Sequence, residues 1–470
     1  MNLSALTRLA KTKKIEFVDL KVSDLLGLWH HITLPVSCLK ADLFKTGVGV
    51  DGSSMPGFAT IERGDMIQVP DPETAFIDPF FDRPTLSMLC DVMDIIDGVS
   101  PFSRNPRRVC RDAQTYLGKV KPGLKSIIGP EFEFYVFDKV NFWQGPDHAF
   151  YYLDSVEAEW NAEVDDENLG YKIPYKKGYH VAPPMDRTIN LRNEICAMLM
   201  EIGVDIKYHH HEVGGGGQHE IETKFTELVR MADQSMIIKY FVRNQSFRKS
   251  RSATFMPKPL FNEPGSGLHV HQFLADDKGS VFYDKKGPAG FSKIGLHYIG
   301  GILKHVDSIL AFTNPSTNSF KRLVPGFEAP VAGTYSVANR TACIRIPGYS
   351  KDPKVARLEF RPGDGTMNPY LGYAAMLMAG IDGIRNKIDP GLPIDKNLDK
   401  LPPDEFARIH QLPTSLTKAL NALEDDHDYL LQGGVFTEDL LDAWISLKHE
   451  DVAAIRIRPT PYEFQLYYGV

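Results

Sequence analysis

The run Gly129-Pro-Glu-Phe-Glu-Phe-Tyr-Val-Phe137 sets two carboxylates, Glu131 and Glu133, at alternate positions in an otherwise apolar and aromatic segment. Residues two apart on a strand point to the same face, so the two acids are expected side by side. A strand this apolar is expected to be covered, and buried carboxylates without partners are costly. Something must therefore compensate them. The segment HHHEVGGGGQHEIE supplies Glu212 and Glu220, with four glycines between them that let the backbone approach a ligand closely. GSGLHVHQF places His269 and His271 on one strand face, RLEFRPGDG alternates Arg357, Glu359 and Arg361, and NRTACIRIP adds Arg340 and Arg345.

Taken singly, each feature has a bland reading. Glu-x-Glu is usually a solvated face, His271 alone would be structural, a glycine run is as often a flexible loop, and no more than one of His209–His211 is expected to act. The recurrence of the same charge pattern in several separate segments points to a site. Oxygen-rich clusters with an occasional imidazole suit Mg²⁺ or Mn²⁺ better than Zn²⁺. The arginines call for anions, and phosphate or a substrate carboxylate fits their bidentate geometry. Metal, arginine and polyphosphate together are the apparatus of phosphoryl transfer, which indicates an ATP-using, metal-dependent enzyme. No GxxxxGK[ST] or GxGxxG follows a strand here, GVGVDG at 47–52 resembles a phosphate-binding turn only superficially, and no GxSxG or CxxC pattern is present.

These residues need a scaffold. At 470 residues the chain exceeds what one core usually supports, and two domains are expected. The composition, 43% hydrophobic and 24% charged, is that of a globular protein. A formal net charge of −7 argues against a nucleic-acid binder, and no apolar run reaches membrane-spanning length. Five scattered cysteines fit reduced thiols in a cytoplasm. KIEFVDLKVSD, LWHHITLP and TLSMLCDVMD read as strands of a first domain that ends near Asp97–Arg108. Helices are expected over Arg107–Leu117, Asp186–Ile202, Thr223–Asn244, Gly290–Asn314, Leu371–Asn386 and Pro413–Glu424. They alternate with strands of one large α+β domain whose sheet has one wet face. Trp143–Pro184 reads as an aromatic loop, and PYEFQLYYGV as a final strand or an aromatic plug for a neighbouring subunit.

The motifs DGSS, GPEFEF, HHHEV…GQHE, KPLFNEPGSGLHVH, NPSTNSFKRLVPGFEAP, NRTACIRIP and RLEFRPGDG, in this order, resemble those of a bacterial type I glutamine synthetase over essentially the whole chain. The resemblance implies an α+β fold: an N-terminal β-grasp domain over 1–104 and a catalytic domain over 105–470 with a curved antiparallel sheet lining the site. It implies two or more divalent cations per site, one on Glu133, Glu212 and Glu220 and one on Glu131, His269 and Glu359, so that each acid of the opening pair faces its own ion. By the same resemblance Gly265, Arg322 and Arg361 would bind glutamate. His271, Arg345, Lys354 and Arg357 would serve ATP, and Arg340 would stabilise the phosphoryl group in flight. Asp51, Ser54, Tyr179 and Glu212 match ammonium-site positions, and Glu328 matches a mobile flap. The reaction would join ammonium to L-glutamate through γ-glutamyl phosphate, in a homo-oligomer of two stacked hexameric rings with Asp51 supplied by a neighbouring subunit. The competing readings are a γ-glutamyl ligase for an organic amine and a non-catalytic regulatory relative.

The chain departs from the family pattern at Phe273, which replaces a serine near the nucleotide, at Lys207, where some relatives are acidic, and at Pro264, which replaces a glutamate-holding asparagine. After "NL" the adenylylated members carry tyrosine and this chain has Asp399, so AMP attachment at that position is not expected.

Overall fold

The computed structural model describes all residues except 96–97, 163–167, 328, 349–351 and 397. Near the N-terminus, β1 (Phe17–Ser23), β2 (Trp29–Pro35), β3 (Val48–Asp51), β4 (Asp65–Pro70) and β5 (Thr85–Asp94) form a sheet in the order β2-β1-β5-β4-β3. The central pair β1 and β5 is parallel and its neighbours are antiparallel. The helix α1 (Leu3–Thr12) starts where the Asn2 side chain accepts the Ala5 amide, the usual satisfaction of an orphan N–H at a helix start. Its Leu6 and Ala10 join Val18, Leu20, Leu86 and Met88 in a small apolar cluster. The three strands read from the sequence are β1, β2 and β5.

The larger sheet contains β6 (Lys125–Phe137), β7 (Ile206–His211), β8 (Gln218–Thr223), β9 (Leu268–Asp276), β10 (Tyr335–Val337), β11 (Ile344–Ile346) and β12 (Leu358–Phe360), in the order β7-β8-β6-β9-β12-β11-β10. All of these pairs are antiparallel except β10 with β11. One face of β6 sends Phe132, Phe134 and Val136 into the main core, beside residues of α2 (Pro106–Val120), α3 (Leu228–Arg248), α4 (Lys293–Lys304) and α5 (Pro369–Asn386). The other face carries Glu131 and Glu133. The apolar run predicts a covered strand and both acids are indeed buried, so this charged face is not the wet face that alternation in the other strands suggests.

Close helix packing depends on two glycines. A Cβ at Gly301 of α4 would lie 2.1 Å from Ala379 O of α5, and one at Gly383 of α5 would lie 2.1 Å from His297 O. No real Cβ tolerates such a distance, so both positions must stay bare for the backbones to meet.

Three sequence expectations need correction. The helix expected over Gly290–Asn314 is two helices, α4 and Val306–Thr313, meeting at His305. Part of Trp143–Pro184 belongs to a hairpin of Lys139–Gln144 with Ala149–Asp154, whose aromatic residues carry the strand signal. Of the two readings of the C-terminal segment the strand is excluded: Pro461–Tyr467 is helical, started by a reciprocal Thr460–Glu463 capping box.

His305 is buried at the helix junction and bridges two acids, with Nδ1 2.7 Å from Asp426 and Nε2 2.9 Å from Asp382. Burial disfavours the imidazolium, but Asp382 and Asp426 outweigh it and raise the pKa above the ordinary histidine value. A raised folded-state pKa means stabilisation that is complete below about pH 6.5 and lost as pH rises through the folded value. The difference in thermal midpoint between the protein and its His305→Gln variant is therefore expected to be larger at pH 6 than at pH 9. A pH-independent difference in differential scanning calorimetry would contradict this.

Candidate active site

The register of the large sheet assembles the charged face. On β8, Glu220 pairs with Glu133 and Glu222 with Glu131; on β9, His269 pairs with Glu131; on β12, Glu359 pairs with His271; on β11, Arg345 pairs with Glu359. Directly opposed residues share a face, so these side chains form one continuous surface across five strands.

His269 Nδ1 lies 3.0 Å, and His271 Nε2 2.7 Å, from the Glu131 carboxylate. Burial alone would raise the Glu131 carboxyl; His271 and His269 outweigh it and hold it well below the usual range. Arg361 donates to Glu359 at 2.6 Å and Arg345 forms a second ion pair with the same carboxylate. Glu133 accepts the Gly267 amide at 2.6 Å. The other acids have too little positive charge nearby. Burial, with Glu133 and Glu220 adding to it, pushes the Glu212 carboxyl up to about 8. Glu220 is raised well above its ordinary value by burial, then by Glu131 and Glu133.

Among the described residues three groups bring ligand atoms within 4.8 Å of one another: Glu131 with His269 and Glu359, Glu131 with Glu222 and His271, and His210 with Glu212 and Glu220. The first is one of the sets expected from the sequence. The third shares Glu212 and Glu220 with the other expected set but brings in His210 in place of Glu133. Carboxylate oxygens with an imidazole nitrogen form a donor set that fits a hard divalent cation. A cation would also remove the repulsion that keeps Glu212 and Glu220 protonated.

Around these acids stand the remaining residues singled out by sequence. Buried Arg322 donates to Pro362 O at 2.7 Å and approaches His269 Nε2 at 3.3 Å. Its guanidinium lies beside two close backbone turns. A Cβ at Gly265 would come within 2.6 Å of Arg322 Cγ, and one at Gly267 within 2.5 Å of Arg322 Nη2 and 2.7 Å of His269 Nε2. Arg361 also donates to Arg340 O at 3.0 Å, which ties the Arg340 turn to β12. Tyr179 is half exposed, stacks on His180 at 4.0 Å and meets the His210 ring edge-on at 5.5 Å. Burial raises the Tyr179 hydroxyl, Glu212 adds to this and Arg340 opposes it, so the three groups are neighbours.

His271 and Phe273 line one flank with Phe225, whose ring is 5.6 Å from Phe273 and lies under the Arg357 guanidinium at 5.0 Å. Lys207 pairs with Glu222 at 2.5 Å. The Pro264 carbonyl accepts the Tyr135 hydroxyl at 2.7 Å. Lys354 is exposed on a short turn, Pro353–Val355, and packs at Gly279. Asp51 and Ser54 are elsewhere: both are exposed at the edge of the N-terminal sheet, where Asp51 accepts from Ser53 and Ser54. Glu328 lies outside the described residues, as does the side chain of Asp399.

Three residues of this surface were not singled out from sequence: Glu222, His210 and Phe225. Glu222 repeats the Glu-x-Glu spacing of the opening motif, in HEIE, and so had a legible signal. His210 was hidden among three adjacent histidines. Its neighbours are turned to structural work, His211 against Glu157 at 3.3 Å and His209 against Asn193 at 3.0 Å.

A two-domain α+β chain with a buried face of carboxylates, imidazoles and arginines is an enzyme built to hold divalent cations against anionic substrates. The family profile described as "Glutamine synthetase, beta-Grasp domain" matches residues 14–95, and "Glutamine synthetase, catalytic domain" matches residues 103–467. The chain is 47% identical to the glutamine synthetase of Frankia alni and 46% identical to that of Aquifex aeolicus, each alignment covering 98% of both chains. Its fold matches the cryo-electron microscopy structure of Plasmodium falciparum glutamine synthetase with a TM-score of 0.91 at 28% identity, covering 100% of this chain and 99% of the other. A structure titled GmaS without ligand matches with a TM-score of 0.80 at 27% identity. This chain belongs to the glutamine synthetase family.

Two outcomes are expected. Adding Mg²⁺ or Mn²⁺ raises the thermal midpoint by mass action, chelation reverses the rise, and Glu131→Gln loses part of it; an undiminished rise in the variant would contradict the cluster's role. Gly267→Ala displaces Arg322 or His269 and is expected to lower kcat/KM for glutamate by roughly 10-fold or more, measured by steady-state kinetics.

Proposed function

We propose that the protein makes L-glutamine from L-glutamate, ammonium and ATP through γ-glutamyl phosphate, and that the side chains of the buried face divide the work. The γ-carboxylate of glutamate attacks the terminal phosphorus of ATP, ADP leaves, and ammonia then displaces phosphate from the acyl phosphate. The observation that carries this reading is the joining of five carboxylates, two imidazoles and Arg345 on one sheet face by strand register.

Glu133, Glu212 and Glu220 would hold one divalent cation, with His210 beside them, and Glu131, His269 and Glu359 a second. Bound Mg²⁺ or Mn²⁺ would neutralise phosphate charge and screen the two anionic reactants from each other. Arg322, Arg361 and the Gly265 backbone would orient glutamate. Arg340 would meet charge developing on the transferred group, and His271, Arg345, Lys354 and Arg357 would bind the nucleotide. Phe225 and Phe273 supply an apolar flank where a purine could lie against the same wall as Arg357.

Tyr179 and Glu212 offer a polar, acid-rich pocket for ammonium. Asp51 and Ser54, exposed on the N-terminal sheet, would complete that pocket in a neighbouring subunit, and Glu328 would close over the acyl phosphate to exclude water. Exposed aromatic residues support the assembly in two stacked hexameric rings that this requires: Phe142, Trp143 and Tyr151 on the hairpin, and Tyr462, Tyr467 and Tyr468 on the last helix. We place the domain division at 104/105, just before α2. Among the described residues no helix is long and apolar enough to cross a membrane, and all five cysteines are free thiols, which supports a cytoplasmic site of action.

Phosphate release from ATP, measured with glutamate, Mg²⁺ and either ammonium or a panel of primary amines, tests the reading. Stimulation by ammonium is expected, with loss of at least about 100-fold in kcat for Arg340→Ala, on the scale seen when one preorganised donor is removed. Stimulation by an organic amine alone would change the nucleophile, and no turnover with any amine would favour the regulatory relative.

A further inference from the structure

A cavity of about 610 Å³ lies where the N-terminal sheet meets α3, and no residue assigned above to catalysis, substrate or metal lines it. Cavities of this size commonly receive small molecules. Its walls are aromatic. Trp29 packs on Tyr240 at 5.3 Å, Phe80 meets Tyr240 edge-on at 5.3 Å, and Phe81 lies on the same lining.

Its charge is one-sided. Lys21, Lys239 and Arg243 line it, and no carboxylate does among the described residues. Lys21 is already compensated by Asp19 and Asp78 and sits over the Tyr240 ring at 5.0 Å. His30 and His31 are likewise held by Asp24 and Asp19. Lys239 differs. It is 5% exposed, its ammonium has one long hydrogen bond, 3.4 Å to Met367 O, and neither it nor Arg243 has a carboxylate within 4.0 Å among the described residues. Burial, with Arg243 nearby, depresses the Lys239 pKa to about 7. A buried lysine with so little compensation, aimed at a roomy cavity beside a second cation, is a costly arrangement that an anion would relieve.

We propose that this cavity binds a small organic anion carrying a flat ring, with the ring against the aromatic lining of Trp29, Phe80, Phe81 and Tyr240 and its carboxylate or phosphate on Lys239 and Arg243. The aromatic walls favour a ring over a bare inorganic anion, because stacking and apolar burial add to the charge interaction. Lys21 and Trp29 belong to β1 and β2, while Met236, Lys239, Tyr240 and Arg243 belong to α3. A ligand here would therefore hold the two domains against each other. It is an effector site, separate from the carboxylate face, and its existence does not depend on the reaction proposed above.

The full-length protein, with its nucleotide site saturated by Mg²⁺ and ADP, is titrated by calorimetry with indole-3-carboxylate, adenosine 5′-monophosphate, acetate and inorganic phosphate. Saturable binding of at least one ring-bearing anion is expected, at least tenfold tighter than acetate or phosphate, and weakened at least tenfold by Lys239→Met and by Arg243→Gln. Tighter binding of the carboxylate or of the monophosphate identifies the head group. Arg243 is exposed, so its variant carries the test should Lys239→Met fail to fold. Absence of saturable binding by both ring anions, or binding that Arg243→Gln leaves unchanged, overturns the proposal.

Discussion

Glu131, Glu133, Glu220, Glu222 and Glu359 occupy adjacent positions on one buried sheet face, and the rest of the molecule is arranged around their repulsion. Two like charges 4 Å apart repel by about 4 kcal/mol at an effective dielectric near 20. Five such groups cannot all be ionised without counter-charge. The structure resolves this unevenly. Glu131 and Glu359 are held ionised by imidazoles and guanidiniums, whereas Glu212 and Glu220 are driven towards the protonated form. The unevenness is the chemical meaning of the site, because the acids left short of positive charge are those with the most to gain from a divalent cation.

This face needs rigid support, and the opposite face of the same strands provides it. Phe132 and Phe134 alternate with Glu131 and Glu133, so each residue pair of β6 ties the charged surface to the apolar core. The domains are joined by an ionic device of a different kind. Buried Arg107 at the start of α2 donates to Asp233 of α3 and to Asp71, and pairs with Asp91 of β5. One guanidinium thus compensates three acids from both parts of the chain. The glycine contacts between α4 and α5 then let the helical layer close behind the sheet.

Much of the charged face was legible because strand periodicity is local. Alternation in GPEFEF, LHVH and RLEFR assigns each side chain to a face without knowledge of the neighbouring strand. Glu222 obeyed the same rule and needed only the same reading of HEIE. His210 could not be separated from His209 and His211 by spacing, since its selection depends on Tyr179 and His180 arriving from a distant loop. The break at His305 was hidden for a similar reason: the apolar pattern continues on both sides of it, and the partners that hold the imidazole come from α5 and a later turn. At the C-terminus the aromatic content favours a strand as one of two readings, whereas the Thr460–Glu463 cap and Pro461 start a helix.

By itself the sequence determined the strands that carry the site, the identity of the charged side chains, the face on which each lies and, through its motifs, the family. Those properties follow from residue type and a period of two. Tertiary structure alone decided register, and with it which acid opposes which base. It placed His269 against Glu131 and Arg345 against Glu359, and buried a face that alternation would have left wet. It also brought β1, β2 and α3 together around Lys239, a lysine that in sequence is one ordinary cation on a long helix. Charge compensation acts over a few ångströms in space whatever the separation along the chain, and only the folded molecule fixes those distances.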